Sequence, residues 1–131
     1  MQSNMGIVKE LYSAFARKDI NGMLAMLSED IEWGEPENPY NPAGGVRKGH
    51  AGFLKWISIG RDAEDILVLE PERFLTDEYG VAVTGYMKCR VKNTGKVYES
   101  DFVHLVTIKD GKICRFIEFF DTYIASEAFK K

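Results

Sequence analysis

Three polar side chains stand among apolar neighbours, and each is of a type that moves protons. His104 lies between Val103 and Leu105 in a run of alternating residues. An imidazole in mid-strand needs a partner to offset the loss of water, and it can donate, accept or carry a proton near neutral pH. Glu35 follows Ile31-Glu32-Trp33 and precedes Pro36, while Asp121 closes Phe119-Phe120-Asp121. A carboxyl held against an apolar wall is driven toward its protonated form and so titrates where acid–base work is done. Such a carboxylate can remove a proton beside a carbonyl while a hydrogen-bond donor holds the developing oxyanion. Each residue also has a plain structural reading. Glu35 shares an acidic surface run with Glu29, Asp30, Glu32 and Glu37. His104 can be a core histidine bonded to a neighbour, and Asp121 a strand-end aspartate bonded to backbone or to an arginine. Strand parity sets Glu118 and Asp121 on opposite faces, so only one faces inward unless a bulge intervenes.

The elements that must hold these groups come from a chain of 131 residues, enough for one domain, expected over residues 1–131, with its own core. Twenty acids against 17 bases give a net charge of −3, which excludes the basic face of a general nucleic-acid binder. No apolar run approaches the ~20 residues of a membrane span. The first residues carry no basic stretch leading into an apolar one, so no signal peptide is expected. Cys89 and Cys114 then read as small buried hydrophobes of a reducing, cytoplasmic setting. With His50 and His104 they are too scattered for a structural metal site, and no cofactor is expected.

Residues 4–17 place Ile7, Val8, Leu11, Tyr12, Phe15 and Ala16 at helical spacing. Asp19 caps a second short helix with Ile20, Met23, Leu24 and Leu27. Ser28-Glu29-Asp30 ends it before a short strand, Ile31–Trp33. Residues 34–49 hold Pro36, Pro39 and Pro42 with several glycines and read as an irregular loop. A third helix opens at Gly49-His50, carries Phe53, Leu54, Trp56 and Ile57, and stops at Gly60. Beyond residue 64 the period becomes that of strands: 66–70, 73–76 after Pro71, 81–92, 97–109 and 113–124, with tight turns at Asn93-Thr94-Gly95 and Lys109–Lys112. The order predicts an α+β fold with helices on one face of a curved sheet. Both faces of 102–106 are apolar apart from His104, which predicts helices on one side and a partner subunit on the other.

Three stretches resemble the nuclear transport factor 2-like superfamily, and within it the ketosteroid-isomerase-related and SnoaL-like polyketide cyclase group. They run from Leu11-Tyr12-Ser13-Ala14-Phe15 to Ile31-Glu32-Trp33, over Gly45-Val46-Arg47-Lys48-Gly49-His50, and from Phe102-Val103-His104-Leu105 to Glu118-Phe119-Phe120-Asp121. The resemblance implies a cone: a strongly bent antiparallel sheet wrapped around three N-terminal helices, open at one end into an apolar pocket and commonly dimeric. It sets Glu35 near the base carboxylate of steroid isomerases, His104 near their oxyanion-holding acid, and Asp121 near the carboxylate of cyclases and epoxide hydrolases. Tyr12 falls one position from their phenolic donor, and the resulting rotation of about 100° is expected to turn it away. The expected catalytic set is His104 with Asp121 as acid–base pair and Glu35 as a second carboxylate. Tyr12, Phe15, Trp33, Trp56, Tyr86, Phe102 and Phe119 are the candidate pocket walls. The function this implies is acid–base chemistry (isomerisation, dehydration or cyclisation) on a small hydrophobic molecule; the alternative is a non-catalytic binding or dimerisation module of the same fold.

Overall fold

The computed structural model describes residues 2–131. Helices α1 (Asn4–Ala16) and α2 (Ile20–Met26) lead into β1 (Leu27–Glu35), β2 (Gly45–Lys48) and α3 (Gly49–Ala63). Four strands follow: β3 (Glu64–Thr76), β4 (Gly80–Val91), β5 (Val97–Lys109) and β6 (Lys112–Phe120). Helix α4 (Thr122–Phe129) closes the chain. Ser3 and Asp19 cap α1 and α2 by accepting from the backbone N–H of Gly6 and Gly22, the side-chain oxygen replacing a partner the first turn lacks.

The six strands form one curled, unclosed sheet in the order β2-β1-β6-β5-β4-β3. Every neighbouring pair is antiparallel except β1 with β6, which run parallel. The expected antiparallel cone is thus present with one parallel seam, made because β1 arrives from the helical half of the chain. Helix α1 packs against β3 and β4, and α3 against β1 and β3. Between them lies the core: Val8, Leu11, Ile31, Trp33, Phe53, Val83, Met87, Phe102, Val106 and Phe116. Gly85 makes one contact possible, since a Cβ there would stand 2.3 Å from the Phe102 ring.

Several boundaries differ from expectation for identifiable reasons. Pro71 does not divide β3. That strand is at the sheet edge and its register shifts between Pro71 and Arg73, which is where a residue without an N–H can sit. Gly60 does not stop α3, because the helix passes directly into extended backbone at Glu64 and needs no left-handed residue at its end. The loop is shorter than 34–49, with strand on both sides of 36–44. The last strand ends at Phe120 and not at 124, because Asp121 caps a fourth helix. The two-residue turn at Asp110-Gly111 has φ of 52° and 77°, the backbone that suits tight hairpins.

Candidate functional site

Along β5 the residues alternate strictly, and Phe102, His104 and Val106 face inward. His104 is 3% exposed. Its Nδ1 lies 2.6 Å from the Tyr12 hydroxyl and its Nε2 lies 2.6 Å from Glu118 Oε2. A carboxylate at 118 can only accept, so Nε2 carries the proton and Nδ1 accepts from the Tyr12 hydroxyl. If Nδ1 is protonated as well, it donates to the Tyr12 oxygen and frees the phenolic proton for the space beyond. Phe102 stacks on the imidazole at 4.1 Å between ring centres, and Phe116 lies at 4.8 Å.

Glu118 is present because of a bulge. Counting back from the Lys109–Lys112 pair, one residue at a time on each strand, would set Ile117 opposite His104. The register slips between Thr107 and Ile108, and Glu118 takes that place. A slip of one residue turns every later side chain of the strand to the other face. Glu118 and Phe120 therefore face inward, while Phe119 and Asp121 face outward. Asp121 is exposed and accepts from the Ile124 N–H as the cap of α4. It does not share the interior with His104, and Phe119, 48% exposed, is not a wall of it. Tyr86 also lies on the outer face, where its hydroxyl donates to Glu99. Tyr12, expected to turn away, faces inward because it falls on the same stripe of α1 as Val8, Leu11 and Phe15.

These groups surround a hollow of about 70 Å³. Phe15, Trp33, Trp56, Phe116 and Phe120 supply much of its wall, and Phe102 lies behind His104. Two further carboxylates reach it. Glu35, 6% exposed, accepts from Asn41 Nδ2 at 2.7 Å and from Trp56 Nε1 at 2.8 Å. Glu64, at the junction of α3 and β3, accepts from the Tyr98 hydroxyl at 2.7 Å. Burial, helped by the negative Glu118, pushes Glu35 up to about 7 against the two hydrogen bonds that favour its charge. Burial likewise pushes Glu64 up to about 7. Desolvation raises both Tyr12 and Tyr98, and holds the Cys89 thiol up at about 12. The hollow thus gathers three carboxyl groups, one imidazole and two phenols, with no lysine or arginine on its wall among the described residues.

Of the expected catalytic residues, His104 and Glu35 line the same space and Asp121 does not. Of the expected walls, Tyr12, Phe15, Trp33 and Trp56 line it. Glu64, Tyr98 and Asn41 carried no sequence signal that singled them out. Glu118 was visible only as the alternative to Asp121.

The SnoaL-like domain profile matches residues 8–116. The chain belongs to the SnoaL-like domain family. The SnoaL-like domain described here is similar to a nuclear transport factor 2-like protein of Burkholderia xenovorans. That match is 33% identical, has a TM-score of 0.87, and covers 97% of this chain and 95% of the other. A second protein of that kind, from Burkholderia pseudomallei, is 29% identical with a TM-score of 0.89 over the whole of both chains. The protein TerC, co-crystallised with polyporic acid, is 28% identical with a TM-score of 0.81, covering 98% of each chain. Among the described residues of this SnoaL-like domain, no helix is long and apolar enough to cross a membrane.

Proposed function

We propose that this SnoaL-like domain is an acid–base enzyme of the isomerase, dehydratase or cyclase type, acting on a small, largely apolar carbonyl compound without a cofactor. The observation that carries this reading is the Tyr12–His104–Glu118 chain facing the same hollow as the buried Glu35 carboxyl. Glu35 takes a proton from the carbon beside the carbonyl, and its position near neutrality lets it both take and return that proton. The chain serves the oxygen side. When His104 carries both protons, Nδ1–H passes its proton to the Tyr12 oxygen as Tyr12 gives its own to a substrate oxygen or leaving hydroxyl. Neutral His104 then remains hydrogen-bonded to Glu118. The relative solved with polyporic acid supports a small organic ligand for a hollow of this kind.

The outer sheet face supports a homodimer as part of the same reading. Val103 and Leu105 are 38% and 44% exposed, and Phe119, the cross-strand partner of Val103, is 48% exposed. Apolar groups side by side on a sheet face gain by burial against a second copy.

The test is exchange of the α-protons of 2-tetralone for deuterium in D2O, followed by proton NMR. The protein accelerates exchange, the rate rises through pH 7 as Glu35 ionises, and Glu35→Ala loses ~100-fold or more. Exchange no faster than in buffer, across a panel of cyclic ketones between pH 5 and 9, would end the catalytic reading.

A further inference from the structure

We propose that Asn41 is a positioning residue: its side-chain amide fixes the Glu35 carboxylate that takes the substrate proton, without touching the substrate. This rests on the acid–base reading above and adds to it the group that holds the base in place.

Glu35 is the last residue of β1, and Pro36 follows it. A glutamate side chain has one more rotatable bond than an aspartate, so its carboxylate stays in one place only if its oxygens are held. Each oxygen has one such hold. Trp56 Nε1 donates to Oε2 at 2.8 Å, and Asn41 Nδ2 donates to Oε1 at 2.7 Å. A carboxylate offers about four lone-pair positions, so two remain for a substrate proton. Among the described residues, Trp56 lines the hollow and Asn41 does not. Asn41 is 5% exposed, and its influence on the hollow passes through Glu35.

The loop between β1 and β2 presents this amide. Asn41 Oδ1 accepts from the Ala43 N–H at 2.9 Å, and the Asn41 backbone carbonyl accepts from the Gly44 N–H at 3.2 Å. The first bond makes an asparagine turn. Because a backbone N–H can only donate, that bond sets the amide oxygen toward Ala43 and the NH2 group toward Glu35. Arg47 on β2 braces the same loop, donating to the carbonyls of Ala43 at 2.8 Å and Pro42 at 3.2 Å. An amide N–H donated to a carboxylate stabilises its charged form, here against the burial that drives Glu35 toward protonation. Loss of that donor leaves less of Glu35 ionised and lets the carboxylate swing away from its line of attack.

Asn41→Ser tests this, because a serine hydroxyl can still accept from Ala43 but is too short to reach Glu35. Protein labelled with ¹³C at the glutamate carboxyls gives a titration curve for Glu35, identified as the signal missing from Glu35→Gln. Its midpoint moves up by about one pH unit in Asn41→Ser. It moves up further in Asn41→Asp, which keeps the acceptor for Ala43 and sets a second carboxyl against the first. Tyr12 on α1, Glu64 on β3, Cys89 on β4, Tyr98 and His104 on β5 and Glu118 on β6 face the same hollow. Neither substitution touches them, so the movement belongs to the lost amide. In the 2-tetralone exchange assay at pH 9, where Glu35 is largely ionised in wild type and Asn41→Ser alike, kcat falls about tenfold and KM stays within about twofold. In the wild type, the Asn41 side-chain NH2 signal moves with pH at the Glu35 midpoint. An NH2 signal that does not follow Glu35 overturns the proposal, whether or not the variants fold. So does a Glu35 midpoint unchanged in both variants, or a change confined to KM. If the midpoint moves but the wild type catalyses no exchange, the hold on Glu35 stands and the enzymatic reading falls.

Discussion

The Tyr12 hydroxyl lies 2.6 Å from His104 Nδ1, although 92 residues separate the two in the chain. The contact ties α1 to the middle of β5 and fixes the imidazole in one orientation, because Glu118 holds the opposite nitrogen. The same pair of hydrogen bonds has a structural role and, in the proposed reaction, a chemical one. It satisfies a buried polar ring, and it lays out a line of exchangeable protons ending at the hollow.

Tyr12→Phe separates those two roles. The substitution keeps the aromatic packing against Phe74 and leaves Nδ1 buried without a donor. Unfolding in urea should show a loss of about 1–2 kcal/mol. Dehydration or exchange activity should fall by ~100-fold, as expected when one member of a proton-transfer chain is removed. A stability loss with unchanged turnover would mean that the chain only builds the core.

Sequence made the α+β order legible because that order depends on two periodicities and a few turns, while the cone followed from the family resemblance. The stripe Val8, Leu11, Tyr12, Phe15, the Asp19 cap and the Asp110-Gly111 hairpin all act locally, and each stands where its residues imply. His104 was legible for the same reason, being one polar side chain in the inward parity of β5. The rest depended on pairing across the sheet. A single slipped residue near Cys114 decides whether Glu118 or Asp121 faces inward, and nothing in the local composition marks it. Glu64 and Tyr98 meet from β3 and β5 across 34 residues, and such a meeting has no local signature.

Glu64 makes a pH-dependent prediction. Its carboxyl is raised from 4.5 to about 7 in the folded protein, so between those values the folded state binds more protons than the unfolded one. Stability then falls as pH rises through this window, and the full penalty is present above about 7. Glu64→Gln keeps a partner for the Tyr98 hydroxyl and removes the titration. It should match the wild type at pH 4 and exceed it by about 1–3 kcal/mol at pH 8. Guanidinium melts at the two pH values check this. An equal difference at both would show that Glu64 is no source of the slope.

The outer face gives a prediction about assembly. Leu105 is 44% exposed beside Val103 on β5, and a homodimer would bury both. Leu105→Glu sets a charge in that interface without touching the inward parity of the strand. Light scattering after size exclusion should give twice the chain mass for the wild type and a shift to the monomer for the variant. A wild type that elutes as a monomer at tens of micromolar would remove the dimer proposal and leave the hollow unaffected.

Asp121 tells a capping aspartate from a catalytic one. Its side chain accepts from the Ile124 N–H at 3.1 Å, and its own N–H donates to Ser100 Oγ at 2.9 Å. Asp121→Ala removes the first bond and keeps the second, so α4 loses its cap and the edge of β5 keeps its contact. The expected cost is about 1 kcal/mol, read as a lower urea midpoint with an unchanged slope. Because the side chain stands outside the hollow, the deuterium-exchange rate of the folded variant should stay within about twofold of the wild type, well short of the ~100-fold that loss of an acid or base brings. Asp121→Asn, which retains an oxygen able to accept from Ile124, should recover most of the stability. A large fall in turnover in both variants, with the fold intact, would mean that Asp121 reaches the substrate after all and that Glu118 is not the inward carboxylate of β6.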